Sequence, residues 1–358
     1  MKVAQLRGVA AYLPEARLDN EALAAVFTKW NAAKIRNKLG ITERPIAASC
    51  ETALDMGVQA AERLFETGVV ARADVDFLLF CTQSPDYFLP TSACVMQNRL
   101  GLSTRCGAFD VNLGCSGWVY ALGVAKGLIE SGSARKVLVV TAETYSKYIN
   151  ELDRVSRPIF GDGAAATLVE ASEEDYATSD VFSGAPTFGG FEYGTDGSRA
   201  DMLIVEAGGS RLAKSDETRV VRDAKGVVHS QEQLYMDGVG IFNFSLNVVA
   251  PFVDRLVRDA RAKGFEIDAF LFHQANKFML DSMLQTFTER IESSKFYNNV
   301  ETRGNTVSST IPIALIDASR DGLVKPGTRA MFCGFGVGLS WAACFARLPE
   351  NFTVAPLD

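Results

Sequence analysis

Histidine is almost missing from this chain: His229 and His273 are the only two in 358 residues. The seven cysteines, at positions 50, 81, 94, 106, 115, 333 and 344, contain no C-x-x-C pair and sit in apolar text. That distribution suits reduced thiols rather than a disulfide framework, and with so few imidazoles no metal site is expected. Lysine and arginine form no long run, and the net charge is −7 with an isoelectric point near 5.2. A general affinity for nucleic acid or for an anionic lipid surface is therefore excluded as a function class. The longest apolar stretch, MFCGFGVGLSWAACFA, is too short for a bilayer and carries three glycines. The opening residues, MKVAQLRGVAAYLPEARLDN, have no sustained apolar signal core. They read as a strand and a loop, and a cytoplasmic protein without membrane association is expected. What the chain has in quantity is core: 47% hydrophobic and 22% charged residues exclude disorder and provide for a large buried interior.

Strand-like and helix-like runs alternate through the first half. VDFLLFCT (75–82) reads as a buried strand, TSACVMQNRLG (91–101) as a helix with Thr91 at its N-cap, and GAFDV (107–111) as another strand. A helical run follows Cys115 and ends near Gly132, then come the strand KVLVVTAE (136–143) and GDGAAATLVE (161–170), a turn leading into a strand. Strands separated by helices imply a mostly parallel sheet covered on both faces. Residues from about 173 to 235 are polar and turn-rich, which predicts a surface excursion with short strands, and His229 within it is expected to be a solvated loop residue. Periodicity returns at 240–264, a helix with a kink or break at Pro251, and at IDAFLFHQAN (267–276), a strand delivering His273 to its end. GNTVSSTIPIALIDASRDG (304–322) reads as a helix behind a Gly-Asn turn, and RAMFCGFGVGLSWAACFA (329–346) as two antiparallel strands around a glycine hairpin. Each half leads a strand through a small-residue turn, NLGCSG or RGNTVSS, into a helix with similar apolar text. A duplicated α/β unit, with halves 1–172 and 173–358 and chemistry at their interface, is the expected organisation.

Cys115 lies among glycines directly ahead of a helix. A lone cysteine is ordinarily plain packing, because free Cys is among the most buried residue types. Here the helix N-terminus would lower the thiol pKa, and the glycines would let a substrate carbonyl approach and leave N–H groups for an oxyanion. His273 at a strand end and Asn305 at a helix start each have structural alternatives, a satisfied buried imidazole and an N-cap. Together the three suit two chemistries: a papain-like cysteine peptidase, which also runs Cys, His, Asn, and carbon–carbon bond formation on thioesters. More than a hundred residues of α/β pattern ahead of Cys115 weigh against the peptidase.

DVNLGCSGWVYAL, IFGDGAAATLVE, HQAN, GNTVSSTIPIAL and GFGVGLSW stand in that order, with weaker similarity in GVAAYLPEARLDN. Over nearly the whole chain this set resembles ketoacyl-ACP synthase III, a family of thiolase-fold condensing enzymes. The resemblance implies an α/β, thiolase-like five-layered αβαβα fold, with two pseudo-repeated halves, mixed, mostly parallel sheets, and a homodimer. It makes Cys115 the acyl-accepting nucleophile, assigns His273 and Asn305 to the decarboxylating half-reaction, and forms the oxyanion hole from the backbone N–H groups of Cys115 and Val337. An acyl group would pass from a thioester to Cys115. Decarboxylation of a malonyl thioester would then give an enolate, held by His273 Nε2 and Asn305 Nδ2, which attacks the acyl-Cys. An acyltransferase that passes the acyl group to an alcohol or amine without decarboxylation is the alternative within the fold. No cofactor is implied beyond coenzyme A or acyl carrier protein as thioester carriers.

The departures from the family cluster where the carrier docks. AKIRNKLGI (33–41) has Lys34 and Lys38 where the family places a tryptophan for adenine and an arginine for phosphate, so Lys38 keeps the charge while the aromatic is missing. Arg154 matches a coenzyme-contacting arginine, whereas Phe278 and Asn243 replace basic residues of the carrier-protein patch. Leu89, in Tyr87-Phe88-Leu89, takes the position of a residue that gates the partner's acyl tunnel, and a leucine there would admit longer or branched chains.

Overall fold

Apolar runs of the first half supply five strands of a six-stranded sheet, and the chain's last strand supplies the sixth. The structure is a computed structural model that describes residues 1–27, 30–224 and 226–357. The chain opens with β1 (Ala4–Tyr12), a ribbon of β2 (Arg17–Asp19) with β3 (Glu43–Pro45), and between them the helices α1 (Asn20–Val26) and α2 (Ala32–Leu39). It continues through α3 (Ala53–Glu66), β4 (Phe77–Cys81), α4 (Ser92–Arg99), β5 (Gly107–Val111), α5 (Gly117–Glu130), β6 (Lys136–Glu143) and β7 (Gly163–Ala171). The second half carries β8 (Phe188–Thr195), four short strands β9 (Leu203–Ile204), β10 (Arg222–Ala224), β11 (Val227–His229) and β12 (Tyr235–Met236), then α6 (Gly238–Phe244) and α7 (Ala250–Ala262). It ends with β13 (Ala269–Phe272), α8 (Lys277–Thr286), α9 (Val300–Arg303), α10 (Thr310–Arg320), β14 (Arg329–Gly336), β15 (Ser340–Arg347) and β16 (Thr353–Val354).

The first sheet runs β16-β1-β7-β6-β4-β5, with β4 parallel to β5 and β6, β16 parallel to β1, and β7 antiparallel to both neighbours. The second runs β13-β14-β15-β8, parallel at β13–β14 and antiparallel beyond. Strand alternation then builds the layers. In β4, Leu79 faces α5 and α10 while Leu78 and Phe80 face α3 and α4; in β14, Phe332 faces α5 and α10 while Met331 and Cys333 face α6, α7 and α8. A side chain period of two thus puts one helix pair between the sheets and one helical layer outside each, the five-layered αβαβα arrangement. Trp118 of α5 is fully buried there; its indole N–H donates to Thr167 Oγ1 at 3.1 Å and its ring meets Phe332 edge-on at 5.0 Å. Truncating such a side chain costs about 3–5 kcal/mol, so this residue alone ties the central helix firmly to both sheets.

Several local expectations are corrected. Thr91 stands at the N-cap of α4 but makes no capping hydrogen bond; the Asp110 carboxylate of β5 takes the Ser92 and Ala93 N–H groups at 2.8 and 2.7 Å instead. Pro251 neither breaks nor ends its helix, because α6 runs through a π-turn at Ser245–Val249 straight into α7, and the wider turn absorbs a residue that lacks an N–H. The polar stretch after residue 173 is not merely a surface excursion. It contributes β8, a full strand of the second sheet with Phe188 buried, and the β9–β12 pair that reaches the interior. His229 is half-buried on β11 with its ring 5.0 Å from Tyr235, not solvated, and its Nδ1 is buried without a hydrogen-bond partner.

Candidate active site

Cys115 sits in the turn between β5 and α5, one residue ahead of the Ser116 N-cap, with its side chain buried. The glycines around it make room for protein, not for substrate. A Cβ on Gly114 would press on Gln83 and Val337, and one on Gly117 would collide with Cys81, whose thiol donates to the Leu113 carbonyl at 3.1 Å. Gly336 of β14 crosses over the nucleophile; a Cβ there would stand 2.8 Å from Cys115 Sγ, so only glycine fits. The peptide N–H groups of Val337 and of Cys115 itself both reach the sulfur. A hydroxyl pair holds these two donors in register: Ser116 Oγ lies 2.6 Å from Ser340 Oγ, which donates to the Val337 carbonyl at 3.1 Å.

Helix placement was expected to lower the thiol pKa. Instead, burial pushes Cys115 up to about 12, and the two N–H groups only partly oppose it. Burial therefore favours the protonated thiol over the thiolate at neutral pH.

His273 follows β13 and extends its ladder, its N–H donating to the Cys333 carbonyl at 2.8 Å. The imidazole is buried, edge-on to Phe335 at 5.5 Å, with Nδ1 2.7 Å from Thr310 Oγ1. Burial lowers its pKa to about 3, so the ring is neutral throughout the physiological range. Asn305 is fixed by backbone bonds on both sides, its N–H to the Ile159 carbonyl and its carbonyl from the Gly161 N–H, each at 3.0 Å. Its side chain does not cap α10. The Oδ1 accepts the Val307 N–H at 2.9 Å, which turns Nδ2 toward His273 Nε2 at 3.4 Å.

Cys115, His273 and Asn305 line one cavity together with Phe335 and Gly336, and it holds about 500 Å³ of empty space that includes its opening to solvent. Its walls are apolar, with Leu203 and Met236 contributed by the short strands β9 and β12 and Ile241 and Met279 by α6 and α8. Sequence reasoning missed Leu203 and Met236, because a two-residue strand has no periodicity to read. It also missed Glu143, although a carboxylate closing the apolar run KVLVVTAE is a visible anomaly. Glu143 is fully buried and accepts from the Gln83 N–H at 3.2 and 3.1 Å, from Ser84 Oγ at 2.9 Å and from Ser308 Oγ at 3.0 Å. Burial raises its pKa to about 8.

Lys38, Leu89 and Arg154 do not line this cavity. Lys38 is exposed on α2, its ammonium 5.1 Å from the Trp30 ring, with Lys34 over the same ring at 5.4 Å. An aromatic surface is therefore present, ahead of α2 rather than within it. Arg154 donates its backbone N–H to the Gly226 carbonyl at 3.0 Å and points its guanidinium at Asp223, 3.9 Å away, so the β10–β11 hairpin holds it. Leu89 is 83% exposed beside Phe88 at 88%, on a loop that does not line its own chain's cavity. Among the described residues no cluster of His, Cys, Asp or Glu forms a metal site, and no helix is long and apolar enough to cross a membrane.

Two family models match, 3-Oxoacyl-[acyl-carrier-protein (ACP)] synthase III over residues 109–185 and its C-terminal counterpart over 257–348. A curated Beta-ketoacyl-[acyl-carrier-protein] synthase III from Clostridium perfringens is 33% identical over 348 residues, covering 97% of this chain and all of that protein. Among solved structures, a 3-oxoacyl-(acyl-carrier-protein) synthase III is 47% identical with a TM-score of 0.90, over 97% of this chain and 100% of that one. A 3-oxoacyl-(acyl-carrier protein) synthase from Burkholderia xenovorans gives 32% and 0.86 over 99% and 98% of the two chains. The priming β-ketosynthase of the R1128 polyketide pathway gives 28% and 0.82, over 98% and 97%.

Proposed function

The chain belongs to the 3-oxoacyl-[acyl-carrier-protein] synthase III family, and on that premise we infer that it is a condensing enzyme that joins an acyl group to the two-carbon unit of a malonyl thioester. The observation that carries this reading is the 3.4 Å pair of His273 Nε2 and Asn305 Nδ2 in the same cavity as the Cys115 thiol. A match over nearly the full length of both chains gives the cysteine-peptidase alternative no support.

In the first half-reaction Cys115 Sγ attacks the acyl thioester, and its proton leaves with the departing carrier thiol, so the acyl-enzyme forms without a net change of charge. The tetrahedral oxygen is held by the N–H groups of Cys115 and Val337; each such donor in a dry site contributes about 3 kcal/mol. The raised thiol pKa puts the barrier at deprotonation, which makes this half-reaction faster as pH rises. In the second half-reaction the malonyl carboxylate leaves as carbon dioxide. Negative charge then collects on the thioester oxygen, where Asn305 Nδ2 and a protonated His273 Nε2 can both donate to it. The enolate carbon attacks the acyl carbonyl, and the Cys115 sulfur leaves and regains a proton from solvent. A neutral imidazole suits this step, since it donates without carrying a charge that burial disfavours.

Coenzyme A or an acyl carrier protein is the expected thioester carrier. Trp30 between two lysine ammoniums offers a stacking face with positive charge beside it, which suits a nucleotide diphosphate. Gly40, the C-cap of α2, packs on Lys277 at the start of α8, two residues from cavity-lining Met279, so this patch borders the site's helical wall. A homodimer is supported by the exposed Tyr87, Phe88 and Leu89 and by β5, an edge strand paired on one side with Phe109 open to solvent. The reduced cysteines fit the cytoplasm.

Incubating the protein with an acyl-coenzyme A and malonyl acyl carrier protein tests the reading. A β-ketoacyl product and released carbon dioxide are expected, and the β-ketoacyl product is absent with Cys115→Ala. Hydrolysis of the acyl thioester alone, or transfer to an added alcohol without carbon dioxide, would refute it.

A further inference from the structure

Four hydrogen bonds close into a ring that starts and ends on Val307. Its N–H donates to Asn305 Oδ1 at 2.9 Å; Asn305 Nδ2 faces His273 Nε2 at 3.4 Å; His273 Nδ1 faces Thr310 Oγ1 at 2.7 Å; and the Thr310 hydroxyl donates back to the Val307 carbonyl at 3.0 Å. Val307 is a β-branched residue held at φ 54°, the left-handed region that such residues avoid, and it is the only non-glycine residue with positive φ among those described. Backbone in so unfavourable a conformation persists only where its surroundings fix it, and such positions gather at functional sites. Here both polar groups of the strained peptide are used to orient the two side chains of the decarboxylating pair.

The direction of the ring assigns protons. Because Val307 N–H occupies Asn305 Oδ1, the amide presents a donor to Nε2, so Nε2 is bare and Nδ1 carries the single proton of a neutral ring. That arrangement satisfies every member, yet it leaves His273 unable to donate to a thioester oxygen. Of the groups beside Nδ1, the Val307 carbonyl can only accept, whereas a hydroxyl can accept from Nδ1–H or turn and donate to a bare Nδ1. We propose that Thr310 is the positioning residue that lets His273 change tautomer, from Nδ1–H in the resting enzyme to Nε2–H when the malonyl thioester arrives. The imidazole holds one proton in both forms: water in the cavity gives a proton to Nε2 and the Nδ1 proton returns to solvent, so none is exchanged with the substrate. In the second form Nε2–H and Asn305 Nδ2–H stand side by side with a common target, the thioester oxygen. This deepens the condensing reading, on which it rests.

The two-histidine composition makes the test clean. Protein labelled with ¹⁵N-histidine gives one pair of ring signals each for His229 and His273, assigned with His229→Gln. The free wild type is expected to show His273 protonated at Nδ1 and bare at Nε2, and to move to Nε2–H with an amide analogue of malonyl coenzyme A. Thr310→Val should hold Nδ1–H in both conditions and lose roughly 10²-fold in condensation kcat, the range for one removed donor, with self-acylation of Cys115 unchanged. Thr310→Ser, which restores the hydroxyl, should restore both the signal change and the rate. An Nε2–H signal in the free wild type, or a Thr310→Val variant that follows the wild type on adding the analogue, would overturn the proposal. The free-enzyme spectrum needs no turnover, so it stands apart from the condensing reading, which fails separately if His273→Ala condenses at the wild-type rate.

Discussion

Replacing Glu143 by glutamine tests how strongly the interior near Cys115 is desolvated. The carboxyl is fully buried at the end of β6 and receives hydrogen bonds from the Gln83 N–H and from the hydroxyls of Ser84 and Ser308. Burial outweighs these donors and raises its pKa from 4.5 to about 8. A carboxyl raised in this sense binds its proton more tightly in the folded state. Its contribution to stability is therefore complete below pH 4.5 and is lost as pH rises through about 8. The gap corresponds to about 5 kcal/mol over the whole window, of which about 2 kcal/mol disappears between pH 6 and pH 8. Glutamine has the same shape and no titration; the serine hydroxyl that faces its amide nitrogen can turn to accept, as it would from a protonated carboxyl, while the other donates to the amide oxygen. Urea unfolding of both proteins at pH 6 and at pH 8, at one protein concentration, is the assay. The wild type should lose about 2 kcal/mol relative to Glu143→Gln across that interval. A difference between the two proteins that stays the same at both pH values would refute the reasoning, since the carboxyl would then ionise alike in folded and unfolded chains.

The remaining predictions concern the cavity directly. Alkylation of Cys115 by iodoacetamide should accelerate about tenfold per pH unit between pH 7 and 9, since burial holds the thiol far above that range; a plateau beginning near pH 7 would mean a thiolate is already formed. Met236→Ala should widen the apolar wall and shift the preferred acyl chain by roughly 10-fold in kcat/KM toward longer substrates, read from competing acyl-coenzyme A pools; an unchanged profile would remove β12 from the acyl path. Ser340→Ala should slow self-acylation by releasing the Val337 carbonyl, by about 10-fold or more, while leaving the unfolding midpoint nearly unmoved.

Text and structure agree where the information is local. KVLVVTAE became β6 over the same residues, and the glycine hairpin of RAMFCGFGVGLSWAACFA became β14 and β15. The three cavity side chains were legible because each stands in a compact motif at the junction between a strand or turn and the helix that follows. What the sequence hid is long-range. The cap of α4 comes from Asp110 on a neighbouring strand, and Leu203 and Met236 arrive from polar text that supports only two-residue strands. Trp30 lies four residues before Lys34 and outside α2, so alignment against a one-position motif overlooked an aromatic whose ring lies against both lysines of the helix. The thiol pKa went the other way from expectation for a related reason: the helix N-terminus is visible in the sequence, whereas the complete burial that outweighs it is a property of the folded interior.

The most direct test follows the acyl group on the Cys115 peptide by mass spectrometry, first after an acyl-coenzyme A and then after malonyl acyl carrier protein, in the wild type and in Asn305→Ala. The account predicts that both proteins gain the acyl mass. Only the wild type should then lose it as carbon dioxide and a β-ketoacyl product appear. An Asn305→Ala protein that clears its acyl group at the wild-type rate, with carbon dioxide released, would contradict it.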